Sequence, residues 1–229
     1  MRLEALADDG AVARRAAAFI AEQARAAVQL RGRFTLAVSG GRTPWQMLRE
    51  LAREDVPWPH THLFQVDERV APAEDAARNL THIRDNLLAA APLCAANVHA
   101  MPVEAGDLDA AAQRYAATLQ DIAGTPAVID LVHLGLGGDG HTASLVPGDA
   151  VLEVGDADVA LTAPYQGHRR MTLTYPLLNR ARRILWLATG SVKRDMVARL
   201  RAADASIPAG RIEQAHALLL CDRAALGAA

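Results

Sequence analysis

Ile129-Asp130-Leu131-Val132-His133-Leu134-Gly135-Leu136, followed at once by Gly137-Gly138-Asp139-Gly140-His141, is the stretch on which the fold turns. A short, nearly continuous apolar run that ends in a glycine cluster reads as a strand buried on both faces. Outward from it, the chain alternates. Towards the N-terminus lie a helix over 108–122, a helix from about Arg78 to Ala89, a strand over 62–66, a helix from Thr43 to about Arg53, a strand over 33–38 and a helix over 11–30. In the last of these, Val12, Ala16, Phe19, Ala27 and Leu30 supply a buried side, and Arg14, Arg15, Glu22 and Arg25 face water. Thr43 is read as the N-cap of its helix and Pro44 as its first turn. Towards the C-terminus lie strands over 159–163, 171–174, 184–189 and 217–221, with a helix over 192–201 between the last two. This pattern predicts an α/β protein: a three-layer, Rossmann-like fold with a mainly parallel central sheet flanked by helices. No repeat or linker breaks it, so residues 1–229 are read as one domain.

The composition fits. About half of the 229 residues are apolar but only 4% are aromatic, so Ala, Leu and Val must fill the core. A formal net charge of −2 argues against a nucleic-acid binder and leaves room for a local basic pocket. Cys94 and Cys221 sit in apolar surroundings outside any C-x-x-C pair and are expected to be buried, reduced thiols. With no signal-like start and no apolar run of spanning length, the expectation is a soluble cytoplasmic protein without membrane partners.

Three polar segments follow directly on strands: 39–43, 67–69 and 139–141. Ligands of open α/β sheets bind outside the carboxyl ends of strands, so these segments are expected to share one pocket. Ser39-Gly40-Gly41-Arg42-Thr43-Pro44 combines close backbone approach with a helix N-terminus, a site suited to phosphate; it is equally a tight turn with a capping threonine. Ala37-Val38-Ser39-Gly40-Gly41 also resembles a serine-hydrolase elbow, although there the helix starts directly after the serine. Gly135-Leu136-Gly137-Gly138-Asp139-Gly140 matches the dinucleotide pattern, but Pro147-Gly148 soon interrupts the helix that the pattern requires. Asp139 and His141 are a carboxylate and an imidazole placed for proton transfer, or an ordinary loop pair. Asp67-Glu68-Arg69, Arg169, Arg170 and Lys193 are either surface charges or anion ligands. His60 and His62 lack a third ligand close by, and the usual zinc motifs are absent, so no metal is expected.

Taken in order, these segments resemble the 6-phosphogluconolactonases over most of the chain. The resemblance rests on Ser39 to Pro44; on Asp67-Glu68-Arg69-Val70 with Asn79; on Asp139-Gly140-His141-Thr142-Ala143-Ser144-Leu145-Val146-Pro147-Gly148; and on Arg170-Met171-Thr172 with Gly190-Ser191-Val192-Lys193. Arg42 stands where serine is common and Val146 where phenylalanine is common. The second change is expected to alter one pocket wall. In the related glucosamine-6-phosphate deaminases, the loop reads roughly Asp-Gly-His-Ile-Ala-Phe-Asn-Glu-Pro-Gly. Its glutamate falls at Val146, which cannot transfer protons.

The resemblance implies hydrolysis of 6-phospho-D-glucono-1,5-lactone, the second step of the oxidative pentose phosphate pathway, without cofactor or metal. His141 would be the general base and Asp139 its support. Ser39, Gly40, Gly41, Arg42, Thr43, Asp67, Arg69, Asn79, Arg170 and Lys193 would bind the phosphorylated sugar lactone. A monomer is expected, with a weak homodimer as the alternative.

Overall fold

The computed structural model describes residues 1–227. In chain order the elements are β1 (Arg2–Leu6), α1 (Asp9–Arg31), β2 (Phe34–Val38), α2 (Arg42–Leu51), β3 (Thr61–Gln65), β4 (Asp67–Arg69), α3 (Asn79–Ile83), β5 (Val98–His99), α4 (Leu108–Ala123), β6 (Leu131–Gly135), β7 (Val159–Leu161), β8 (Arg170–Leu173), α5 (Tyr175–Arg180), β9 (Ile184–Ala188), α6 (Arg194–Arg201), β10 (Ala217–Asp222) and α7 (Arg223–Leu226). Seven strands form one sheet in the order β1-β10-β9-β6-β2-β3-β5. Every pairing in it is parallel.

Side-chain alternation along each strand sorts the core into two layers. Leu36, Leu131, Leu185, Leu187, Leu218 and Leu220 face one way and pack on α1 and α2. Val132, Leu134, Trp186, Leu219 and Cys221 face the other way, towards α4, α5 and α6. Because both faces are covered, the central strands are apolar at almost every position, which is why they read as continuous runs.

The expectation of a mainly parallel sheet omits a second layer. β7 and β8 belong not to the main sheet but to a small antiparallel one, ordered β4-β8-β7. Val66 is the crossing point: its N–H bonds Val38 in the large sheet, and its carbonyl accepts from Leu173 in the small one.

Several local expectations are corrected. α2 starts at Arg42 and is capped by the Gly41 backbone, so Thr43 is not its N-cap; the Thr43 hydroxyl pairs instead with that of Thr189 at 2.8 Å. The helix expected from about Arg78 to Ala89 is α3 followed by a π-helical turn over Arg84–Leu88. Lys193 lies in a 3₁₀ turn just before α6. Leu30 is exposed at 75%, on the outward side of α1. Cys221 is buried but Cys94 is exposed.

Candidate active site

After β3 the chain proceeds to one side of β2, whereas β6 lies on the other side. The carboxyl ends of β2 and β6 therefore open a crevice where the strand order reverses, the preferred ligand position in such sheets. A cleft of about 480 Å³ occupies it, lined by Ser39, Gly40, Asp67, Arg69, Asn79, Asp139, His141, Arg170 and Lys193 among others. The three polar segments thus meet, joined by β8 and the turn before α6. Gly41, Arg42 and Thr43 are not on this cleft. They line an adjoining one of about 510 Å³ that shares Gly40, Gly135, Leu136 and Lys193 with it.

The loop after β6 shapes the proton-handling group. The Gly137 N–H donates to the His141 carbonyl at 2.8 Å and the Gly140 N–H to the Gly137 carbonyl at 3.2 Å, closing a tight turn. The turn needs φ +83° at Gly140, a left-handed conformation suited to glycine. It sets Nδ1 of His141 2.5 Å from Oδ1 of Asp139. Asp139 Oδ1 also accepts the His141 backbone N–H at 3.2 Å, and Oδ2 accepts the Tyr165 hydroxyl at 3.0 Å. Partial burial works to raise the Asp139 pKa, but these hydrogen bonds and the His141 charge outweigh it and hold the carboxyl below its usual range. With Nδ1–H directed at the carboxylate, Nε2 is the ring nitrogen left for a ligand in the cleft.

The opposite wall is cationic. Arg170 is only 3% exposed, on β8, and Arg69 is half-buried on β4. The Nε atoms of both are buried and lack a hydrogen-bond partner among the described residues. Arg69 Nη1 donates to the Ala77 carbonyl at 2.6 Å. Burial holds the Arg170 guanidinium below its usual pKa; Asp67 opposes this and Arg69 adds to it. Lys193 is lowered by burial too, against the pull of Asp139 and with the push of Arg42. Arg169 points outward, exposed. Asp67 is buried, accepts the Ser144 hydroxyl at 2.7 Å and receives Asn79 Nδ2 on its carbonyl at 2.9 Å. Neighbouring Glu68 is structural: it accepts the Asn79 and Leu80 N–H groups that open α3, each at 2.8 Å, and lies 3.2 Å from Arg78.

Two alternatives drop out on geometry. The Ser39 hydroxyl donates to the His133 carbonyl at 3.1 Å, and its N–H to His133 Nδ1 at 3.3 Å, so no base activates it as a nucleophile. The glycine run after β6 leads into a Thr142–Leu145 bridge and a short 3₁₀ turn at Ala150–Glu153, not the long helix that would receive a pyrophosphate. His62 pairs with His99 at 3.1 Å between β3 and β5, outside the cleft. Val146 is buried and is not among the residues lining the cleft, which corrects the expectation that it alters a pocket wall.

Tyr165 and Gln166 line the cleft without having been singled out in the sequence. They sit in an irregular segment between β7 and β8, where strand and helix periodicity carry no signal. The one local cue was Gln166-Gly167, whose φ values of +50° and +85° make the turn between the bridged residues Tyr165 and His168.

Residues 7–221 match the family model described as glucosamine-6-phosphate isomerases/6-phosphogluconolactonase. The human GDH/6PGL endoplasmic bifunctional protein is 40% identical over 74% of the chain, which spans 22% of that protein's length. A 6-phosphogluconolactonase from Synechocystis sp. is 38% identical, with 78% of this chain and 76% of the relative covered. Among solved structures, a 6-phosphogluconolactonase from Thermotoga maritima superposes with a TM-score of 0.86 at 25% identity, covering 96% of this chain and 98% of the other.

Proposed function

The chain belongs to the glucosamine-6-phosphate isomerase/6-phosphogluconolactonase family, and from that membership we propose that it hydrolyses 6-phospho-D-glucono-1,5-lactone to 6-phospho-D-gluconate. One observation carries the reading. A carboxylate-held imidazole shares a cleft with two arginines whose buried Nε–H groups have no partner among the described residues. Unpartnered buried donors are costly, and an anionic ligand satisfies them.

In this reading Arg69, Arg170 and Lys193 hold the phosphate, aided by the Gly40 backbone, with Gly41 and the N-terminal end of α2 contributing from the adjoining cleft. Arg42 and Thr43 act from the adjoining cleft. Asp67 and Asn79 take sugar hydroxyls. The fixed phosphate sets the lactone carbonyl against His141. Nε2 takes a proton from water as its oxygen attacks C1. The bond from C1 to the ring oxygen then breaks, and the imidazolium returns the proton to that oxygen. Asp139 keeps the ring in the Nδ1–H tautomer and stabilises the imidazolium. The Gly137 and Gly140 amides are engaged within the loop, so those of Gly138 and Asp139 serve the oxyanion, a contribution of about 3–4 kcal/mol. The chemistry uses only side chains, backbone and water.

The deaminase alternative lacks its acid: position 146 is a buried valine. Among the described residues no helix is long and apolar enough to cross a membrane. We place the enzyme in the cytoplasm, as a monomer acting through one domain over 1–229. The test is purified protein added to fresh lactone, with acid release followed against the spontaneous rate and ammonia release from glucosamine 6-phosphate as the contrast. Lactone opening no faster than in buffer overturns the proposal.

A further inference from the structure

Tyr165 touches both halves of the site. Its hydroxyl donates to Asp139 Oδ2 at 3.0 Å, on the carboxylate that holds His141. Its ring meets the His141 ring edge-on, with centroids 5.6 Å apart. The Arg170 guanidinium lies over the same phenol ring, 4.9 Å from its centroid. Arg170 Nη2 also reaches the Tyr165 carbonyl at 3.5 Å and Gln166 Oε1 at 3.4 Å, while Gln166 Nε2 donates to the Tyr165 hydroxyl at 3.2 Å. The Gln166-Gly167 turn fixes this tip, and its left-handed φ values commit the backbone to one geometry.

We propose that Tyr165 is a positioning residue for the hydrolysis: its hydroxyl fixes Asp139 against His141 while its ring face carries Arg170, so one side chain holds the anion-binding arginine in register with the proton-accepting imidazole. The proposal rests on the lactonase reading of the same site. The carboxylate has two acceptor oxygens. His141 occupies Oδ1 and the phenol caps Oδ2; without the phenol the carboxylate stays paired to His141 through Oδ1 but loses the second contact that fixes its orientation. The phenol also draws off part of the carboxylate's charge, which otherwise falls on the imidazole. The charged groups bearing on this assembly are Asp139 from the β6 loop, Arg170 from β8, Asp67 and Arg69 from β4, and Lys193 from the turn before α6.

The sign of the effect follows. Tyr165→Phe keeps the ring over Arg170 and removes the hydroxyl. The KM should stay within about twofold, the plateau kcat should fall about fivefold, and the acid limb of kcat/KM should move to higher pH because Asp139 then stabilises the imidazolium more strongly. Tyr165→Leu removes the ring as well and should raise KM about threefold or more. A purely structural tyrosine lowers Tm without moving the acid limb. An ¹⁵N-imidazole titration of His141 reads the same coupling without turnover, and its midpoint should rise in Tyr165→Phe. A wild-type acid limb and an unmoved midpoint in that variant overturn the proposal. Failure of the wild-type protein to open the lactone, with the midpoint still moving, overturns the substrate assignment and leaves the Tyr165 contact standing.

Discussion

A β-carbon on Gly137 would lie 2.1 Å from Nδ1 of His141 and 2.6 Å from Oδ1 of Asp139. The glycine is the floor on which the imidazole and carboxylate meet. Gly137→Ala should therefore displace both side chains and lower kcat by about 10²-fold, approaching the full value of base catalysis. The backbone there has no left-handed strain, so Tm should change little. Activity and Tm measured on one preparation check this; near-normal turnover removes Gly137 from the site.

His141→Asn keeps polarity and removes the base. Turnover should fall about 10²–10⁴-fold, the usual reach of general-base action, while 6-phosphogluconate binding by calorimetry stays near wild type. Retained turnover assigns the proton to another group.

Arg69→Ala separates binding from chemistry. Arg69 has a buried Nε with no partner among the described residues, and a charge-assisted bond is worth roughly 1.5–3 kcal/mol. KM should rise about tenfold or more with kcat largely retained. An unchanged KM takes Arg69 out of the phosphate site.

Ser39→Ala tests the elbow reading directly. The hydroxyl donates to the His133 carbonyl, so its loss should cost about 1 kcal/mol of stability and leave kcat within a few-fold. Abolished hydrolysis in a folded variant would restore the serine-nucleophile mechanism.

His133 predicts acid lability. Complete burial lowers its pKa to about 3 from the ordinary 6.5. The folded state thus keeps the imidazole neutral where the unfolded chain binds a proton. Its stabilising contribution is full above pH 6.5 and is lost as pH falls towards 3, at up to about 1.4 kcal/mol per pH unit. Denaturation midpoints from pH 7 to 4 should fall more steeply in the wild type than in His133→Leu, and parallel curves would count against the assignment.

The main sheet was legible because its strands are covered on both faces, so Leu131 to Leu134 and Ile184 to Ala188 stand out as apolar runs. The edge strands escaped. Among the described residues β1 pairs only with β10 and is half-exposed, and β5 has two residues, so neither carries enough periodic signal. The transfer of β7 and β8 to a second sheet was not readable, because a strand's composition does not state its partner. The dyad and the arginines showed as polar groups at strand ends. Tyr165 did not: its role comes from a turn that brings it to residues distant in sequence, and no local pattern records that.

The crossing at Val66 gives the cleft two independent mountings. The imidazole rides on the large parallel layer, whereas the two arginines ride on the small antiparallel one. A sugar phosphate spanning them clasps the layers together like a rivet, so occupancy should stiffen the whole molecule, and saturating product should protect amides along β4 and β8 from hydrogen exchange as well as those in the β6 loop.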